Sequence, residues 1–143
     1  MIFQTKNIIY IPTYNHSSTI YKLLDDLKNI NFDFDVLVVD DCSTDNTLLE
    51  IKKFLKKNKN QLNLNLIKTK KNSGYAMSVK TAFSIFINLT NCENIIVLHG
   101  DGQYTPDLIN KFSDFLKKDC AIVQGYRFKS SYPDKDQTPF LAY

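Results

Sequence analysis

Uninterrupted apolar runs at Ile8 to Ile11, Val36 to Val39, Ile95 to Leu98 and Ala121 to Val123 punctuate the chain. Runs without alternation suit strands covered on both faces, as in a parallel sheet between helices. The stretches between them switch to a helical period. A helix over roughly Ser18 to Ile30 lines up Ile20, Leu23, Leu24, Leu27 and Ile30, and a second, after Asp45, lines up Leu48, Ile51, Phe54 and Leu55. A third starts near Gly74 with Ala76, Val79, Ala82, Phe83 and Phe86, and a fourth runs from Pro106 through Leu108, Ile109, Phe112 and Leu116. All four stripes are expected to be core. Leu62, Leu64 and Leu66 instead alternate with Asn63 and Asn65. Only one face of that strand can be fully apolar, which places it at a sheet edge.

This order predicts an α/β fold with a Rossmann-like, doubly wound and mostly parallel sheet. Right-handed crossovers put the first three strands in the order 3-2-1, and the Ile95 strand opens the other wing beside strand one, giving 3-2-1-4. In such sheets ligands bind outside the carboxyl ends of the strands, at the point where the order reverses. Here that point lies among Pro12 to Asn15, Asp40-Asp41 and His99 to Gln103. One domain is expected over residues 1–127. Residues 128–143 turn polar and proline-containing, which reads as the start of a further region cut in mid-course.

The strand ends carry matched polar groups. After Leu98 come His99, Gly100, Asp101, Gly102 and Gln103, a carboxylate and an amide on a short glycine loop, with Thr105 and Pro106 suited to opening the next helix. Strand two ends in Asp40 and Asp41, and two adjacent carboxylates repel, so one is expected to face a ligand while the other caps an amide or is solvated. Asp45 suits a helix cap. Strand one ends in Pro12, Thr13, Tyr14, Asn15 and His16, where Tyr14 offers a ring for stacking on a base and Asn15 can orient the loop. Lys71 to Ala76 precede the third helix, with Gly74 and Ala76 small enough for a backbone or a diphosphate to come close.

Composition narrows the classes. The net charge is +3, and the lysines cluster at Lys52-Lys53, Lys56 to Lys59, Lys68 to Lys71 and Lys117-Lys118 without interleaved aromatics. Most read as a solvated helical face with a weak pull on phosphates or anionic lipid, and nucleic acid is not expected as a partner. Cys42, Cys92 and Cys120 match neither zinc spacing nor a disulfide framework. No apolar run reaches the ~20 residues of a membrane span, and the amino terminus lacks the layout of a secretory signal. A cytoplasmic protein, peripheral at most to a membrane face, is the expectation.

Taken together, and in this order, the motifs resemble the nucleotide-binding half of the inverting glycosyltransferases of family 2, which have the GT-A fold. Pro12-Thr13-Tyr14-Asn15 matches the family's strand-one turn, with His16 in place of Glu. Val39 to Asp45 matches its Val-Asp-Asp-x-Ser-x-Asp. Asn72, Gly74 and Ala76 approximate its Asn-x-Gly-x-x-x-Ala region, and its metal loop falls on His99 to Gln103. That loop looks most like the branch acting on polyprenyl phosphates, often Asp-x-Asp-x-Gln, with His99 in place of the first Asp. Arg127, the only arginine, follows Gln124-Gly125-Tyr126 and matches the family's Gly-Ser-Arg segment with Tyr126 for Ser.

The resemblance implies a transferase that moves a sugar from a UDP- or GDP-linked donor to an acceptor, polyprenyl phosphate being one candidate, in cell-envelope polysaccharide or glycolipid synthesis. It implies a divalent metal, Mg²⁺ or Mn²⁺, held by Asp101 and Gln103, with His99 outside the coordination sphere. Pro12, Tyr14, Asn15, Asp40, Asp41, Asn72, Gly74 and Asp101 would bind the nucleotide. Arg127 would grip a phosphate and, with Asp101, serve catalysis. Two alternatives stay open: a nucleotide-sugar-binding module without turnover, for which a homodimer is one assembly, and a phosphoacceptor domain like response-regulator receivers.

Overall fold

In a computed structural model, the described residues are 3–58, 61–89 and 91–112. They alternate strictly between strand and helix: β1 (Asn7–Thr13), α1 (Ile20–Asp26) continued by a 3-10 turn (Leu27–Asn29), β2 (Asp35–Asp40), α2 (Thr47–Lys57), β3 (Leu64–Lys68), α3 (Tyr75–Leu89), β4 (Asn94–Val97) and α4 (Asp107–Phe112). The strands form one sheet in the order β3-β2-β1-β4, every pair parallel. This is the expected 3-2-1-4 arrangement. It differs from the 2-1-3-4-5 order of flavodoxin-like sheets, to which receivers belong, because β3 lies at the edge and not beside β1.

Side-chain alternation divides the core into two layers. Ile9, Ile11, Val36 and Val38 point to one face and pack with Ile20, Leu24, Ile51 and Phe54 of α1 and α2. Ile8, Tyr10, Leu37 and Val39 point to the other and pack with Ala82, Ile85 and Phe86 of α3. Burying both faces is why β1 and β2 read as continuous apolar runs. Tyr10 is buried to its hydroxyl, which lies 2.7 Å from Ser78 Oγ, and burial pushes its pKa up to about 12. On β3, Leu64 and Leu66 pack against the α1–α2 layer, as the alternation with asparagine requires at an edge.

The buried Asp35 opens β2 and ties three segments together. Its Oδ2 accepts the backbone N–H groups of Gln4 and Thr5 at 2.6 and 2.8 Å, and its Oδ1 accepts Asn63 Nδ2–H at 2.7 Å. A carboxylate saturated by donors in this way is tolerated in a core.

Two expectations need correction. The third helix is not a single buried stripe: Ala76 is exposed and Phe83 is 40% exposed, whereas Ala82, Ile85 and Phe86 meet the sheet. An α3 that is apolar on several sides hides its inward face from a periodicity count. The fourth strand is also less covered than β1 and β2. Ile95 and Ile96 are half-buried and Val97 is 43% exposed among the described residues. Leu98, just beyond β4, is buried and extends the ladder by donating to the Tyr10 carbonyl at 2.9 Å. Leu116, the Ala121 to Val123 run, Arg127 and residues 128–143 lie outside the described residues.

Candidate functional site

The carboxyl ends of β1, β2 and β4 bring the expected residues to one edge, and local hydrogen bonding divides their roles. Asn15 adopts a left-handed conformation, φ 55°, which asparagine tolerates better than most residues. Its N–H donates to Ser43 Oγ at 2.9 Å, and its Oδ1 accepts Thr44 N–H at 2.9 Å. Asn15 therefore staples the loop after β1 to the loop after β2. Tyr14 beside it is 40% exposed and its ring is open to a ligand face. Pro12 is buried, and its carbonyl accepts Gly100 N–H at 3.2 Å, joining the β1 end to the Asp101 loop.

Asp40 and Asp41 leave the sheet on opposite faces. Asp40 is fully buried; its Oδ1 accepts the Ser43 hydroxyl and amide, while its Oδ2 is buried without a hydrogen-bond partner. Asp41 is saturated. Its Oδ1 accepts Thr69 Oγ1–H and Ser73 N–H, both at 3.0 Å, and its Oδ2 accepts Gly74 N–H at 2.7 Å. Asp41 thus shapes the turn before α3, in which Asn72 Oδ1 also accepts Gly74 N–H at 3.1 Å and Gly74 sits at φ 82°. The N-cap position of α2 falls on Asn46, one residue after the expected Asp45, and Asp45 supports the helix start from just outside it: its Oδ1 accepts Thr47 N–H at 2.9 Å and its Oδ2 accepts Ser17 N–H at 3.1 Å. Burial acts to raise the Asp45 pKa, but the bonds from Thr47 and Ser17 outweigh it and hold it at about 2.

The loop after β4 carries the metal-type donors. Asp101 is half-buried, and its Oδ1 accepts Gln103 N–H at 2.9 Å, the short turn that Gly102 at φ 74° permits. Gln103 is exposed. His99 is half-buried, and its ring stacks on Tyr75 with centroids 5.2 Å apart and planes 27° off parallel. Its replacement of an acid is thereby used in packing. His16 lies under the same loop, with Nδ1 3.1 Å from Thr13 Oγ1, and burial lowers its pKa against the pull of Asp101 and Asp45. Gly100 leaves room for this pair, since a Cβ there would lie 2.6 Å from Thr13 Oγ1 and 2.8 Å from His16 Nδ1.

Among the described residues, no three His, Cys, Asp or Glu side chains converge to hold a metal. Asp101 with an amide neighbour fits an ion of the Mg²⁺ type, which takes one or two protein carboxylates and completes its octahedron with phosphates and water. Thr13, Ser43, Thr69 and Tyr75 were not singled out in the sequence. Thr69 and Tyr75 meet Asp41 and His99 across long stretches of chain that no local pattern reports, whereas Thr13 and Ser43 bond His16 and Asp40 three positions away, inside motifs the sequence displays.

The chain is 37% identical over 111 residues to an uncharacterised protein of Methanocaldococcus jannaschii, covering 78% of this chain and 45% of that one. It is 42% identical over 121 residues to the poly(ribitol-phosphate) β-N-acetylglucosaminyltransferase TarS of Staphylococcus aureus, covering 82% of this chain and 19% of TarS. It therefore spans less than half the length of these relatives. The crystal structure of TarS residues 1–349 with UDP superposes with a TM-score of 0.61 at 29% identity, covering 78% of this chain and 32% of that one. A mannosyltransferase from Pyrobaculum calidifontis, solved with GDP-Man and Mn²⁺, superposes with a TM-score of 0.69 over 80% of this chain and 33% of its own. At 22% identity it shows the shared fold. The model of glycosyl transferase family 2 matches residues 8–141, and the chain belongs to that family.

Proposed function

We propose that this chain is the donor-binding part of a glycosyltransferase that moves a sugar from a UDP- or GDP-linked donor to an acceptor. The observation that carries the reading is the meeting of Tyr14, Asp40 and Asp101 at one sheet edge, each with a group to offer: an exposed ring, a buried oxygen without a partner and a half-buried carboxylate. A buried carboxylate oxygen calls for a donor, and a nucleobase N–H or ribose hydroxyl supplies one. Tyr14 stacks on the base. Asp41, Asn72 and Gly74 act by fixing the turn against which the nucleotide rests, and Pro12 and Asn15 by fixing the loops on either side of it.

A divalent ion, Mg²⁺ or Mn²⁺, shared by Asp101, Gln103 and the donor diphosphate would neutralise charge building on the departing nucleoside diphosphate. Asp101 is held for that role by Gln103 N–H and by the buried Gly100 turn. Arg127 grips a phosphate bidentately. For the acceptor we favour polyprenyl phosphate, whose phosphate is already ionised and needs no general base.

Calorimetry with UDP and GDP, with and without Mn²⁺, tests the donor reading. Binding that needs Mn²⁺ and falls at least ~10-fold in Asp101→Ala is expected, a loss of about 1.4 kcal/mol. Absence of nucleotide binding, or binding indifferent to Asp101→Ala, overturns it. Transfer of labelled sugar to a lipid-extractable product tests the acceptor separately.

A further inference from the structure

Charge is divided unevenly along this chain. Residues 51–92 contain nine lysines and no aspartate or glutamate, while the remainder holds nine basic and fifteen acidic residues. All eight of those lysines that fall among the described residues are exposed, and of these only Lys53 has an ion-pair partner there, Glu50. Two of them, Lys70 and Lys71, sit in the turn leading into α3, and Lys80 lies on α3 itself.

The outer side of α3 adds an apolar surface to this charge. Met77 is 47% exposed, Phe83 40% and Ile87 78%, and Lys80 falls between them on the helical surface, with Tyr75 54% exposed at the helix start. A helix covering a sheet ordinarily turns a polar face to water. Exposed aliphatic and aromatic side chains flanked by lysines, in a segment that carries no acidic residue of its own, are the composition of a helix that lies in a membrane interface. A phosphate backbone would use the lysines and leave Met77 and Ile87 without a role.

We infer that the outer face of α3, with Lys70, Lys71 and Lys80, is a docking surface for an anionic lipid bilayer. Met77, Phe83 and Ile87 enter the headgroup boundary while the lysines meet lipid phosphates. The docking stands independently of the catalytic reading. Its consequence for the acceptor rests on that reading: Asp41 pins the start of α3 to the end of β2, so a docked α3 holds the Tyr75 and Asp101 edge beside the membrane surface, within reach of a lipid-linked acceptor.

Co-sedimentation of the 143-residue chain with vesicles tests the docking. Vesicles of phosphatidylcholine alone are compared with vesicles containing phosphatidylglycerol, at low and high salt, for the parent, Lys70→Glu/Lys71→Glu and Ile87→Asp. Binding confined to the anionic vesicles and weakened by salt is expected. The double reversal should weaken it at least ~20-fold, as the loss of two surface lysines implies. Ile87→Asp should weaken it with every lysine in place and with an unchanged circular-dichroism melt. Indifference to lipid charge, survival of binding in either variant, or capture by single-stranded DNA without capture by vesicles overturns the inference. So does a concentration-dependent dimer that Ile87→Asp dissociates and that ignores lipid. No donor sugar enters the assay, so its failure and a failure of nucleotide binding are separate results.

Discussion

The Asp41 carboxylate accepts the Gly74 amide at 2.7 Å across a sequence separation of 33 residues, tying the end of β2 to the first turn of α3. Thr69 Oγ1–H and Ser73 N–H complete its coordination. Asp41 is therefore a clamp between two loops of the site. Asp41→Asn preserves volume but turns an N–H₂ group toward donors that need an acceptor. Bonds to a charged group contribute about 1.5–3 kcal/mol each, so a loss of about 2 kcal/mol in urea unfolding is expected, with weaker nucleotide binding. Unchanged stability would show that the turn holds without the carboxylate.

Gly74 and Gly100 are glycines for different reasons, and alanine substitution separates them. At Gly74 a Cβ meets nothing within 4 Å, but φ is 82°, so Gly74→Ala carries only the backbone cost of about 1–2 kcal/mol. At Gly100 the backbone allows a side chain and the space does not, because Thr13 and His16 lie under 3 Å from the added atom. Thr13 is buried in β1 and cannot retreat, so Gly100→Ala costs about 1–3 kcal/mol by overpacking and displaces the Asp101 loop. Urea titration should find both destabilised, with Mn²⁺-dependent nucleotide binding lost chiefly in Gly100→Ala.

The Tyr75–His99 stack joins the start of α3 to the residues that lead into the Asp101 loop. Tyr75→Phe keeps the ring and should leave Mn²⁺-dependent binding within about twofold, whereas Tyr75→Ala removes a contact of about 0.5–1.5 kcal/mol and should weaken it several-fold. Equal effects of the two substitutions would assign the role to the Tyr75 hydroxyl.

The sheet order was legible because it depends on quantities that a sequence displays: unbroken apolar runs for β1 and β2, alternation with Asn63 and Asn65 for the β3 edge, and chirality for the rest. The meeting of Tyr14, Asp40 and Asp101 at one edge followed from that order. The division of labour between Asp40 and Asp41 did not. Adjacent residues of a strand point to opposite faces, and which face offers donors depends on Ser43 on one side and Ser73 and Gly74 on the other. The exposed face of α3 was missed for a related reason. Periodicity locates an apolar stripe, but Phe83 and Ile87 extend the apolar character around the helix, and only the packed sheet shows which side is inward.

Stability should depend on pH in two steps with different owners. Burial lowers the His16 pKa from its ordinary 6.5, so the unfolded chain takes up that proton more readily than the folded one. Its contribution is complete above pH 6.5 and erodes as pH falls below that value, until the folded state also binds the proton. Asp45 acts lower down, because its folded pKa of about 2 lies beneath the ordinary 3.8. Its contribution is present above 3.8 and is lost as pH falls toward 2, and the exposure of Asp45 to solvent keeps that step small. Urea midpoints should fall less for His16→Gln than for the parent as pH drops below 6.5, and less for Asp45→Asn as it drops from 3.8 toward 2. A His16→Gln profile parallel to the parent as pH drops below 6.5 would mean that the imidazole is as free to ionise in the folded chain as in the unfolded one.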